Sequence, residues 1–172
     1  DFEEGMAPTI PYVTFKADEL QTLTMSKAVE TLEYSVDNGE WKPLGTTTVS
    51  FGGSDGNLRM RGKSSIGTAK DRTDYAKIHF GNTAKVSCTG DIRTLIDYEN
   101  YATAYTGDAR FCNLFDYCTQ LTSAPDLPLT ILPNECYIQM FIGCANLTTA
   151  PELPATNLGI SCYESMFAGC TG

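Results

Sequence analysis

The sequence predicts an α+β chain of two modules, a small β-sandwich followed by a solenoid of short strands and short helices. The first observation behind this is a repeat. Leu121-Thr-Ser-Ala-Pro-Asp-Leu-Pro128 and Leu147-Thr-Thr-Ala-Pro-Glu-Leu-Pro154 nearly coincide 26 residues apart. Phe115, Phe141 and Phe167, Cys118, Cys144 and Cys170, and Leu114, Met140 and Met166 recur at the same interval. A unit of that length cannot bury its own apolar face, so it must stack on its neighbours, and the elongated surface that results suits binding. The second observation is that residues 1–100 carry no such echo and instead show short alternating segments broken by Gly, Asn, Asp and Pro. The third is charge: residues 1–100 hold 15 acidic and 11 basic side chains, whereas residues 101–172 hold 6 acidic ones and a single basic one, Arg110.

In chain order, residues 1–9 read as a tail and residues 10–96 as the β domain. Strands are expected at Tyr12 to Lys16, Leu20 to Met25, Thr46 to Phe51, Leu58 to Arg61, Ala76 to Phe80 and Lys85 to Cys88. Their alternation sends Leu58, Met60, Ala76, Ile78, Phe80, Val86 and Cys88 inward. Leu32 to Leu44 reads as a β-hairpin. Asn38-Gly39 supplies its two-residue turn, with Val36 opposite Trp41 and Ser35 opposite Lys42. Several short strands with frequent turns resemble the immunoglobulin-like sandwiches attached to many secreted proteins, an analogy of fold alone. Residues 97–109 lack a clear period and read as a junction that caps the open apolar end of the repeats.

Within residues 110–172, Phe-x-x-Cys-x-x-Leu-Thr reads as the end of a short helix turning into a strand, with Phe115, Cys118, Leu121, Phe141, Cys144 and Leu147 inward. Pro125, Pro128, Pro151 and Pro154 end the strands, since proline cannot donate to a ladder. The third unit stops at Cys170-Thr-Gly172, where its strand should begin, which reads as a fragment of a longer protein. The chain begins Asp1-Phe-Glu-Glu-Gly, which reads as a mature or trimmed product and leaves export open.

The net charge of −9 argues against a nucleic-acid partner, which needs a concentrated Lys and Arg surface. No apolar run approaches the roughly 20 residues that span a bilayer. The seven cysteines, at 88, 112, 118, 136, 144, 162 and 170, form no Cys-x-x-Cys pair, and His79 is the only histidine, so neither a metal site nor a cofactor is expected. The cysteines fit a core ladder of buried thiols. Disulfides between units (Cys118 with Cys136, Cys144 with Cys162) or within them (Cys112 with Cys118, Cys136 with Cys144, Cys162 with Cys170) fit the spacing as well.

His79 should face solvent beside Lys77, without a nucleophile to serve. Gly52-Gly-Ser-Asp-Gly56 reads as a turn between strands, lacking the ligand spacing of a calcium loop and the Lys of a phosphate loop. Asp71 with Asp74, and Asp126 with Glu152, are carboxylate pairs without an accompanying site. Tyr98, Tyr101, Tyr105, Tyr137 and Tyr163 are the aromatics that a sugar would stack on, although the repeat equivalence of Tyr137 and Tyr163 with Phe111 favours packing. No catalytic residue emerges, and the chain is not expected to be an enzyme.

The phrase Cys136-Tyr-Ile-Gln-Met-Phe-Ile-Gly-Cys-Ala-Asn-Leu-Thr-Thr-Ala-Pro-Glu-Leu-Pro154, its copy around Phe115, Cys118, Leu121 and Thr122, and the partial copy at Phe167 and Cys170 resemble the BspA-like class of bacterial leucine-rich repeats. The hairpin at 32–44 resembles part of the β domain that often precedes such arrays in Bacteroides-type surface proteins. The unit is longer than the commoner form, and Ala124 and Ala150 stand where a larger apolar residue is usual. The resemblance implies a non-catalytic, extracellular or surface-anchored protein for adhesion or ligand recognition, with a host or microbial surface protein or a glycan as partner. A carbohydrate-binding accessory module of a glycan-utilisation system is the alternative. The docking face expected on the strands is Thr122, Ser123, Asp126, Thr148, Thr149 and Glu152, which alternate with inward Leu121, Leu127, Leu147 and Leu153.

Overall fold

A computed structural model describes residues 9–172, so the expected tail lies outside the described residues except for Thr9. The strands are β1 (Val13–Lys16), β2 (Gln21–Met25), β3 (Glu33–Val36), β4 (Lys42–Pro43), β5 (Val49–Phe51), β6 (Leu58–Arg61), β7 (Ala69–Asp71), β8 (Asp74–Tyr75), β9 (Ile78–Phe80), β10 (Val86–Thr89), β11 (Leu121–Ser123), β12 (Ile131–Leu132) and β13 (Asn157–Leu158). They form a six-stranded sheet in the order β11-β10-β1-β6-β3-β4, a three-stranded sheet β5-β2-β9, and the pairs β7-β8 and β12-β13. Among the described residues there is no α-helix, only short 3-10 turns at Gly53–Asp55, Ile92–Leu95 and Tyr101–Thr103.

The expected fold class is therefore corrected. The described residues form short strands in several small sheets, without the helices of an α+β chain, without a strand-and-helix solenoid, and without a simple immunoglobulin-like sandwich. Leu121 lies in β11, but Leu147 lies in no strand, and the second unit adds only the isolated bridge of Thr149 to Ser123 and the two-residue strand β13, which pairs in parallel with β12. The reason helices fail is local. Ala109, Asn113 and Tyr117 in the first unit, Glu135, Gln139 and Gly143 in the second, and Ser161, Ser165 and Gly169 in the third all have positive φ. A left-handed residue at every fourth position cannot sit in a right-handed helix. Each unit is instead a run of overlapping turns. Leu114 N donates to Phe111 O and Cys118 N to Phe115 O within the first, while Phe111 N donates to Cys136 O and Phe115 N to Met140 O in the next.

Those bonds stack the side chains. Phe115, Phe141 and Phe167 form a column with centroids 5.3 and 5.7 Å apart, and Phe111, Tyr137 and Tyr163 form a second at 6.3 and 6.2 Å. Phe15 of β1 continues the first column, 6.3 Å from Phe115. One apolar core accordingly runs from Val13, Phe15 and Phe80 through Phe115 to Met166.

Elsewhere the period-two pattern decides the strands. Leu58, Met60, Ala76, Ile78, Phe80, Val86 and Cys88 are all buried. Buried Gln21 is satisfied at a loop corner, where its Nε2 donates to Ala84 O at 2.8 Å and its Oε1 accepts from Thr22 N at 2.8 Å. The hairpin forms with a shifted register: Tyr34 lies opposite Lys42 and Glu33 opposite Pro43. The positive φ values fall on Asp37 and Asn38 rather than on Asn38 and Gly39, and Gly39 N closes the turn on Val36 O. Asp tolerates the left-handed region well enough to take the first turn position.

Candidate functional site

β11 pairs in parallel with β10, with a bulge between Val86 and Ser87. Two of the expected docking residues are spent on that junction. Thr122 Oγ1 donates to Val86 O at 3.2 Å, and Ser123 Oγ donates to Cys88 O and accepts from Cys88 N, both at 3.2 Å. Thr148 and Thr149 are exposed on the next row, where Thr148 N donates to Thr122 O at 3.3 Å and Thr149 bridges Ser123. These four residues form one hydroxyl-bearing edge. Leu121, Leu127 and Leu147 are buried beneath it, but Leu153, expected inward, is exposed because no strand forms around it.

Asp126 and Glu152 lie further along the same segments, in a cleft of about 400 Å³ that they share with Asp91, Leu127, Pro128 and Pro154. Asp91 is the residue that sequence reasoning missed. It sits outside the repeat and gives no periodic signal, yet it forms a parallel bridge with Asp126: Asp126 N donates to Gly90 O at 2.8 Å and Ile92 N to Asp126 O at 3.1 Å. Burial, then the Asp91 charge, then the Glu152 charge hold the Asp126 carboxyl above the usual carboxylate range. Asp91 itself is paired, with Arg93 Nη2 at 2.7 Å from its Oδ2. A neighbouring cleft of about 560 Å³ shares Asp91 and Asp126 and adds Tyr12, Thr14, Thr89 and Tyr101. The three carboxylates offer acceptors for cationic groups.

A second arrangement also escaped the sequence reading. On the six-stranded sheet the Arg59 guanidinium lies 4.9 Å from both the Tyr12 and Trp41 rings, and that of Arg61 lies 4.1 Å from both Trp41 and Tyr98. The alternation Arg59, Arg61, Lys63 on and beyond β6 was visible, but the rings come from three different segments. Arg61 also pairs with Glu33 at 2.8 Å, and Arg59 Nη2 donates to Ser35 Oγ at 2.8 Å. Most of the ladder's donors are thus engaged within the protein, although the buried Arg59 Nε has no partner, and the stack serves as packing.

The other candidates resolve individually. Tyr98 belongs to that ladder, Tyr101 lies 5.9 Å from the Arg93 guanidinium, and Tyr137 is buried in its aromatic column. Tyr105 is exposed. His79 is exposed on β9 opposite Thr24. Asp71 Oδ1 caps a turn by accepting from Thr73 N, Thr73 Oγ1 and Asp74 N, which holds its carboxyl below its ordinary value, and Asp74 pairs with Lys27. Gly52 to Gly56 is a 3-10 turn between β5 and β6.

All seven cysteines are free thiols, so neither disulfide scheme forms. The thiols cap carbonyls instead: Cys144 Sγ donates to Phe115 O at 3.0 Å, Cys170 Sγ to Phe141 O at 3.2 Å, and Cys118 Sγ to Ile78 O at 3.2 Å. Burial pushes the Cys112 and Cys144 thiols up to about 12. Among the described residues no three His, Cys, Asp or Glu side chains are grouped to hold a metal ion, and no helix is long and apolar enough to cross a membrane. Comparison with protein-family models, curated proteins and solved structures finds no match.

Proposed function

We propose that this protein is a non-catalytic recognition module of a cell-surface or secreted protein, and that a basic segment of a partner protein docks against Asp91, Asp126 and Glu152 and the adjoining edge of Thr148 and Thr149. The observation that carries this reading is the carboxylate-lined cleft, in which exposed Asp126 shares the walls with two further acidic side chains. Asp91 is paired with Arg93, but Asp126 and Glu152 make no ion pair among the described residues, and a Lys or Arg placed there gains charge-assisted hydrogen bonds. Arg110, the single basic residue after position 100, is committed elsewhere, with its Nη1 3.5 Å from Ala69 O and Lys70 O. The adhesion role and the location outside the cell rest on the resemblance of the repeat phrase to bacterial surface proteins.

The test is surface plasmon resonance of the whole chain against immobilised matrix proteins and a lysine-rich peptide, at low and high salt. Wild type should bind with an affinity that falls as salt rises. The triple variant Asp126→Arg, Thr148→Arg, Glu152→Arg, with its fold checked by circular dichroism, should not bind. Thr122 and Ser123 are left intact because their hydroxyls hold the sheet. Salt-independent binding, or binding retained by the variant, would refute the assignment.

A further inference from the structure

A separate cavity of about 360 Å³ opens between residues 102–106 and 128–133. We propose that it receives one neutral sugar unit, the terminal residue of a glycan. Thr106 lines this cavity and is only 4% exposed, yet its Oγ1 has no hydrogen-bond partner in the protein. An orphaned buried hydroxyl is costly, and because Oγ1 itself is closed to solvent, a rotation of the Thr106 side chain toward the cavity is what would let a ligand group complete the bond. Tyr105 stands at the rim 83% exposed, and Ile131 beside it is 66% exposed, giving a ring and an aliphatic surface with no protein cover.

Charge narrows the ligand. The cavity's one ionic side chain, Arg93, is already neutralised by Asp91 Oδ2 at 2.7 Å, and its Nη1 donates to Ala102 O at 3.2 Å. An anionic ligand would have to compete with Asp91, and a cationic one would meet the guanidinium. What fits is an uncharged molecule with an apolar face for Tyr105 and Ile131 and with hydroxyls for Thr106 and Thr130, which is the surface of a pyranose. The volume is near the lower end of ordinary small-molecule pockets, enough for a single ring rather than a chain. This inference is independent of the carboxylate face, which lies on the other side of the Asp91–Arg93 pair.

The experiment is saturation-transfer NMR and titration of the whole chain with methyl glycosides of glucose, galactose, mannose and N-acetylglucosamine, with glucuronate and indole as charged and apolar comparators. At least one neutral glycoside should bind. Tyr105→Ala should weaken it roughly fivefold or more, since stacking by an exposed Tyr is lost while the fold is untouched. Thr106→Val should weaken it roughly fivefold while leaving the unfolding midpoint unchanged or higher, because the hydroxyl is unpartnered in the free protein. The triple variant of the carboxylate face should bind the glycoside like wild type, so the two assignments fail separately. No glycoside binding at tens of millimolar, tighter binding of glucuronate or indole, or undiminished binding by both single variants would overturn the proposal.

Discussion

Replacing Phe141 with alanine tests the stack at its centre. The ring is fully buried, with Phe115 at 5.3 Å and 10° on one side and Phe167 at 5.7 Å and 4° on the other. Truncating a buried Phe to Ala costs about 3–5 kcal/mol from lost transfer energy and the cavity left behind. Two stacked partners, each worth about 0.5–1.5 kcal/mol beyond area, place Phe141 in the upper half of that range. With a urea dependence of about 2–3 kcal/mol per molar for a chain of this size, the midpoint should fall by roughly 1.5–2.5 M. Phe167→Ala supplies the internal comparison, because that ring is half-buried and has a single aromatic partner. Its loss should be about half as large. Equal losses at the two positions, or a loss below about 1 kcal/mol at Phe141, would show that the turns do not stack in this register.

Three further outcomes follow from the same geometry. Gly143→Ala should destabilise far more than Gly169→Ala, because both have positive φ but a Cβ on Gly143 would lie 2.3 Å from the Tyr117 ring, whereas on Gly169 it meets nothing closer than Gly143 at 3.4 Å; urea midpoints decide it. A thiol reagent at pH 8 should leave Cys112 and Cys144, raised to about 12, unmodified in the folded protein, and should reach half-buried Cys170 first, with all seven reacting in urea. For Asp126 the folded pKa is raised, so the cost of its charge is fully present above that value and disappears as pH falls below the unfolded value near 3.8. Asp126→Asn should therefore raise stability at pH 7 by up to about 0.5 kcal/mol, as befits a surface group. The difference should vanish in acid, and a stabilisation that persists there would assign the effect to something other than charge.

What the sequence disclosed was set by how strongly burial imprints a period on it. Leu58 with Met60, Ile78 with Phe80 and Val86 with Cys88 alternate because one face of each strand is core, and those strands were legible. β7 and β8 were not, because Lys70, Asp71 and Asp74 lie outside the core and leave no alternation. The aromatic columns were legible as a 26-residue recurrence, but the conformation between them was not. An apolar residue followed three positions later by another, as in Phe115 and Cys118, is the same spacing whether the backbone is a helix or a run of overlapping turns. Of the nine left-handed positions in the three units, Gly143 and Gly169 are glycines, and residues such as Tyr117, Gln139 and Ser165 give no warning. The face was half legible: Asp126 and Glu152 share a repeat position, while Asp91 joins them only through a long-range bridge.

That bridge ties the proposed docking face to the fold. Ile78 N donates to Leu114 O at 2.8 Å and Cys118 Sγ to Ile78 O, so β9 seats the first unit much as Phe115 seats the second through the Cys144 thiol. β10 then pairs with β11, and the ladder continues through Gly90 and Asp91 to Asp126. Adjacent backbones in such a ladder lie about 4.8 Å apart, so the bridge makes Asp91 and Asp126 neighbours. Residues anchored by backbone pairing on a shared core lose little backbone freedom when a partner arrives, and that preorganisation is what the proposed docking face needs to turn a shallow cleft into affinity.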